Sequence, residues 1–169
     1  MVREYAPLVL AALLPGCSLI LDFSDSAAPH DAAIDAVYTQ AQCDFLEPND
    51  SIDAAVMVTS ADNGGVAAIC APAMMGGAED HDFYKFSVTT VPFTVGIQFT
   101  NRPMGDLDIK VYQASDSMLI GQSRGFGDTE SVTCPGSAPS CPSVSPGDFV
   151  LEVFPAISGA VNTYTFTVP

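Results

Sequence analysis

At 169 residues the chain has room for one ordinary domain, or one domain and a tail, and its 48 % apolar content excludes a disordered composition. Thr, Val, Phe, Gly and Pro are plentiful and Lys, Arg, Glu and Gln scarce, a mix suited to strands joined by turns. Five Lys or Arg stand against twenty Asp or Glu, a net charge of −15 that excludes nucleic-acid binding and suits either simple solubility or hard cations.

Residues Met1 to Cys17 read MVREYAPLVLAALLPGC. Arg3 and the terminal amine precede an apolar run from Ala6 to Leu14, too short to cross a bilayer of about 30 Å but sized for a signal peptide. Leu14-Pro15-Gly16-Cys17 resembles a bacterial lipobox, although Pro15 is unusual there. Residues 1–16 are therefore expected to be removed and Cys17 to carry the lipid. Two or three acyl chains, at about 0.8 kcal/mol per buried CH₂, would hold the protein on a membrane. Rival readings are an uncleaved anchor running on through Leu19, Ile20 and Leu21, and plain secretion with Cys17 incidental. Residues 17–42, rich in Ala, Asp and Ser, are expected to form the lipidated terminus and a flexible tether spanning about 25–30 Å.

Without Cys17 four cysteines remain, and an even number in an exported chain reads as disulfides with three pairings open. Cys134 and Cys141 bracket PGSAPS and are expected to close on each other, leaving Cys43 with Cys70. No Cys-x-x-Cys is present, so neither a zinc ribbon nor a thioredoxin-type site is indicated.

From Cys43 to Pro169 the texture is that of a single domain. Phe93, Val95, Ile97 and Phe99 alternate with Thr94, Gly96, Gln98 and Thr100. Leu107, Ile109 and Val111 alternate with Asp106, Asp108 and Lys110, and Tyr164, Phe166 and Val168 with Thr163, Thr165 and Thr167. Period two with one polar face predicts half-buried antiparallel strands. Further strands are expected at Val66–Cys70, Phe83–Thr89, Met118–Ser123, Ser131–Cys134 and Phe149–Phe154. Turn signals such as Asp62-Asn63-Gly64-Gly65, Gly125-Phe126-Gly127-Asp128 and Pro146-Gly147-Asp148 separate them. The expectation is all-β: an antiparallel sandwich, jelly-roll-like, of seven to eight strands.

Short motifs fall in order along this domain. They are Glu47-Pro48-Asn49-Asp50-Ser51, Asp80-His81-Asp82-Phe83-Tyr84-Lys85-Phe86, Gly105-Asp106-Leu107-Asp108-Ile109-Lys110-Val111-Tyr112, Glu130-Ser131-Val132, Pro146-Gly147-Asp148-Phe149-Val150-Leu151-Glu152-Val153 and Asn162-Thr163-Tyr164-Thr165-Phe166. Together they resemble the bacterial pre-peptidase C-terminal (PPC) domain family, over about Asp44 to Pro169. Phe149 stands where that family often has Tyr, and the Cys134–Cys141 stretch is an insertion. The resemblance implies a jelly-roll-like sandwich of the kind attached to secreted peptidases, similar to collagenase collagen-binding domains. It also implies calcium, with Glu47, Asn49, Asp50, Asp80 and Asp82 as its ligands. Calcium takes six to eight oxygens, and acidic or amide groups on adjacent loops can converge on one ion. Against this, Asn49-Asp50-Ser51 is equally a turn or helix cap, and Asp106 and Asp108 fall on a strand's polar face, where solvation is the simplest state.

No catalytic residue is nominated. The two histidines are His30, in the tether, and His81, in an acidic turn with the character of a surface residue. There is no Gly-x-Ser-x-Gly and no Gly-rich phosphate loop, and without Trp a sugar-binding cleft is poorly supplied. The sequence therefore points to a non-catalytic binding or adhesion module tethered to the cell envelope. It is expected to meet the membrane through its lipid and an extracellular protein or polysaccharide through its surface, with Tyr84, Tyr112 and Phe126 either exposed there as binding aromatics or, on the simpler reading, packed in the core. An accessory or chaperone-like domain for a secreted peptidase or another envelope partner is the alternative.

Overall fold

The computed structural model describes residues 44–72, 77–100, 105–136, 141 and 143–169. Residues 1–43, on which the expected signal peptide, the expected lipid acceptor Cys17, the expected tether and Cys43 fall, lie outside the described residues.

Alternating sequences become strands wherever one face can be buried against a second sheet. Nine strands result: β1 (Val56–Met57), β2 (Val66–Ile69), β3 (Asp82–Val88), β4 (Phe93–Phe99), β5 (Leu107–Gln113), β6 (Met118–Ser123), β7 (Thr129–Cys134), β8 (Gly147–Pro155) and β9 (Asn162–Thr167). They form a sandwich of two sheets, one ordered β1-β3-β8-β5-β6 and the other β2-β9-β4-β7. Among the described residues the fold is all-β, as expected, with nine strands rather than seven or eight. The extra one is β1, two residues long, which pairs parallel with β3 through Val56 opposite Tyr84. Two residues carry no readable period, so β1 exists only because β3 offers it an open edge. All other pairings among the described strands are antiparallel.

The core lies between the sheets. Tyr84, Phe86 and Val88 of β3, Phe149, Leu151 and Val153 of β8 and Leu107, Ile109 and Val111 of β5 meet Phe93, Val95 and Ile97 of β4 and Tyr164 and Phe166 of β9. Phe86, Phe93 and Phe149 form an aromatic triad with centroids 4.9–6.0 Å apart, within the range where ring pairs attract beyond simple burial. Tyr84 stacks on Phe166 at 4.9 Å. The predicted turn at Asn63 is built by its own side chain, which accepts from Val168 N (2.8 Å) and donates to Val168 O (2.9 Å), as a neighbouring strand would. Gly64 follows at φ +80°, a conformation that favours glycine.

A Cys134–Cys141 disulfide closes the loop before β8. Cys70 is also disulfide-bonded, to a partner outside the described residues.

The fold decides the exposure of the aromatic candidates and corrects that of Asp106, Asp108 and His81. Tyr84 is fully buried in the core, and Tyr112 is half-buried because its hydroxyl is drawn down onto Glu152; Phe126 is exposed. Asp108 is buried beside Phe154, its register partner on β8, and Asp106 is half-buried. His81 is not a free surface histidine: its Nδ1 lies 2.8 Å from Glu152 Oε1.

Candidate metal centre

The segment Glu47-Pro48-Asn49-Asp50 reaches the sandwich at the start of β3, where the Asn49 carbonyl accepts from Phe83 N at 3.0 Å. It behaves there as one more rung of backbone pairing. Period two then puts Asp82 on the same side of β3 as Tyr84 and Phe86, facing inward. Asp82 is completely buried, and its Oδ2 accepts from the Tyr164 hydroxyl, which lies 2.6 Å from that of Tyr84. Two tyrosines from opposite sheets thus meet a buried carboxyl at one end of the core.

The Asn49 side chain, also completely buried, continues this chain outward. Its amide is oriented by its surroundings, with Nδ2 donating to Asp82 Oδ1 (3.0 Å) and to Glu47 Oε2 (3.1 Å). The Asn49 backbone N–H donates to the same Glu47 Oε2 at 3.0 Å. Glu47 Oε1 is left buried and without a hydrogen-bond partner.

Beyond this point three carboxylates converge. Glu47, Asp50 and Asp80 each offer an oxygen within 4.8 Å of those of the other two. Asp50 is exposed, Glu47 half-buried and Asp80 buried. Asp80 Oδ2 accepts from Cys70 N at 2.7 Å, and Asp44 Oδ2 from Ala68 N at 2.9 Å. These amides belong to β2 and to the residue just after it, and β2 is an edge strand of the second sheet. An edge amide held by a carboxylate is unavailable to another chain.

The electrostatics follow from burial and like charge. Burial pushes the Glu47 carboxyl up to about 7; repulsion from Asp80, Asp50 and Asp44 adds to the shift, and the Asn49 amide offsets part of it. Asp50 is raised by burial and by Asp80 beside it. Burial pushes Asp82 up to about 9 against the Tyr164 hydrogen bond, and the Tyr84 phenol is raised by burial and by Asp82. A divalent cation among Glu47, Asp50 and Asp80 would relieve this repulsion and satisfy the orphaned Oε1. The donors are all oxygen, which fits a hard ion such as calcium and not a thiolate- or imidazole-seeking metal.

Of the five residues named from sequence, the fold brings Glu47, Asp50 and Asp80 together. Asn49 and Asp82 lie behind that group: the Asn49 amide bridges Asp82 Oδ1 and Glu47 Oε2, and Asp82 Oδ2 faces Tyr164. Tyr84 and Tyr164 were missed as partners, although both sit in phase with core positions. Asp82 shares that phase, the one sequence signal that it faces inward.

A second polar knot sits on the outer side of β8. Glu152 is 3 % exposed, yet it accepts from Lys110 Nζ (3.0 and 3.1 Å), the Tyr112 hydroxyl (2.5 Å) and His81 Nδ1 (2.8 Å). Burial pushes its carboxyl up, but the bonds from His81, Tyr112 and Lys110 outweigh this and hold it down at about 2. Lys110 Nζ also lies 4.1 Å from the Phe154 ring centroid, a cation–π distance. Glu130, in the motif on β7, latches the β6–β7 turn by accepting from Gly125 N (2.9 Å) and the Ser123 hydroxyl. A Cβ on Gly125 would sit 2.7 Å from Glu130 Oε1, so a larger residue there would make the Glu130 carboxylate shift.

No protein-family model matches the chain, and no curated protein does. Among solved structures the chain is similar to the pre-peptidase C-terminal domain of a collagenase from Bacillus anthracis, at 14 % identity and a TM-score of 0.47, over 68 % of this chain and 94 % of that one.

Proposed function

We propose that this protein is a non-catalytic binding or adhesion module, tethered to the cell envelope through a lipid on Cys17, whose leading segment is fastened to the sandwich by calcium. The observation that carries the reading is the convergence of Glu47, Asp50 and Asp80 within 4.8 Å, beside a buried Glu47 oxygen that no hydrogen bond satisfies. In a calcium-bound protein these three carboxylates supply the charged ligands, and water or backbone carbonyls complete the shell. The ion would join the chain just after its tether to the approach to β3, where pull on a tethered domain is first felt. The non-catalytic reading rests on the sequence, which offers no Gly-x-Ser-x-Gly and no Gly-rich phosphate loop. Envelope tethering rests on the lipobox-like Leu14-Pro15-Gly16-Cys17 and the tether after it. An extracellular protein or polysaccharide is the ligand class proposed for the module's surface.

The test is calcium titration of the full chain by calorimetry, with melting scans in EDTA and in calcium. Binding at a dissociation constant near 10 μM would, at about 1 mM calcium, add roughly 2.7 kcal/mol of stability. Identical midpoints and no binding heat would refute the calcium site. Uptake of a palmitate analogue by a Cys17→Ala variant would refute the proposed anchor.

A further inference from the structure

The sequence motif offers five oxygen-bearing side chains of equal standing, but the fold does not treat them equally. Asp82 has both oxygens engaged inside the protein, Oδ1 by the Asn49 amide and Oδ2 by the Tyr164 hydroxyl, and no part of it is exposed. An ion reaching Asp82 would have to displace one of these bonds at a depth where no water can replace it, which is costly. The Asn49 amide nitrogen likewise spans Asp82 Oδ1 and Glu47 Oε2. Glu47 Oε2 receives two donors from Asn49, one main-chain and one side-chain, whereas Oε1 receives none. Two donors on one oxygen fix the rotation of the carboxylate plane and leave the other oxygen as the one on offer.

We propose that Asn49 and Asp82 are positioning residues rather than ligands: Asp82, anchored by Tyr164 from the opposite sheet, holds the Asn49 amide, which turns Glu47 so that Oε1 faces the ion. This rests on the reading that Glu47, Asp50 and Asp80 take calcium. It differs from what the sequence motif implies, where all five residues bind the ion directly. It also makes the site depend on packing of the two sheets, because Tyr164 lies on β9 and Asp82 on β3. Partners behind a ligand commonly change metal affinity by about 10–100-fold without touching the ion.

Terbium luminescence on the full chain separates the roles, since lifetimes in H₂O and D₂O count the waters left on the ion. Asp82→Asn and Tyr164→Phe are expected to weaken terbium binding by about tenfold while leaving the bound-water number as in the wild type. Asp50→Asn, which removes a ligand, is expected to weaken binding and to raise that number by about one. Far-UV dichroism and melting curves establish that each variant is folded; Tyr164→Phe keeps the ring in the core, so it carries the test if Asp82→Asn does not fold. A rise in bound water for Asp82→Asn would make Asp82 a ligand and overturn the proposal. Unchanged terbium affinity in Tyr164→Phe would equally overturn it, because the anchor would then be irrelevant. If the wild type binds neither terbium nor calcium, the metal site itself is refuted and this inference with it, a result distinguishable from the other two.

Discussion

The hydroxyl of Tyr164 on β9 donates to Oδ2 of Asp82 on β3, so one hydrogen bond ties the two sheets together at the end of the core where the chain arrives. Both residues are buried. Removing one partner of such a bond leaves the other desolvated and unsatisfied. Tyr164→Phe is therefore expected to cost about 1–3 kcal/mol in urea denaturation of the metal-free protein, with an unchanged m-value. A loss within error of zero would mean that a water takes the hydroxyl's place.

The pH dependence has opposite signs at the two polar knots. Glu47 and Asp82 are raised in the folded state to about 7 and about 9, so folded protein binds more protons than unfolded above the ordinary carboxylate range. Stability from these groups is greatest at low pH and falls as pH rises through about 7 to about 9. Glu152 is held down at about 2, so its contribution is full above its unfolded pKa and is lost as pH falls towards about 2. In EDTA, melting temperature should peak in mildly acidic buffer, fall towards pH 9 and fall again below about 4. A profile flat from pH 5 to 9 would show that Glu47 and Asp82 titrate at ordinary values. Calcium should flatten the alkaline limb, because the ion favours the ionised Glu47.

Glu152 holds three donors on the outer side of β8, among them the Lys110 ammonium, whose side chain is 19 % exposed. Glu152→Ala leaves that ammonium and the Tyr112 hydroxyl without their acceptor. We expect a loss of about 2–4 kcal/mol by urea denaturation, most of it recovered when Lys110→Met is combined with Glu152→Ala. Additive losses in the double variant would show that Lys110 does not depend on Glu152.

The Cys134–Cys141 bond closes a short loop between β7 and β8. In the chain-entropy picture its removal by the paired Cys134→Ala and Cys141→Ala changes costs about 2.5 kcal/mol. Equilibrium unfolding without reductant measures this. A change below about 0.5 kcal/mol would mean that the insertion contributes nothing to the fold.

The strands were legible because each long one buries one face and solvates the other, and that requirement writes itself into the sequence as a period of two. Phe93 to Phe99 and Tyr164 to Val168 are the plainest cases. β1 was not legible, since two residues have no period and their pairing depends on an edge supplied by β3. Asp108 was misjudged for a related reason. The alternation placed it correctly on the outer side of its strand, but it is buried there, opposite Phe154 in the register of β8. His81 and Glu152 are 71 positions apart, and nothing local in either motif announces their contact.

By itself, the order of residues determined an all-β domain, the turns that bound its strands and an acidic leading segment, because strand alternation and turn chemistry act over a few neighbours. Only the tertiary structure decided which acids meet. Glu47, Asp50 and Asp80 converge, whereas Asn49 and Asp82 turn inward, because Asp82 shares the inward phase of β3 and finds Tyr164 waiting across the sandwich. A carboxylate's partner is set by which strand lies opposite it, and that is a property of the packed sheets.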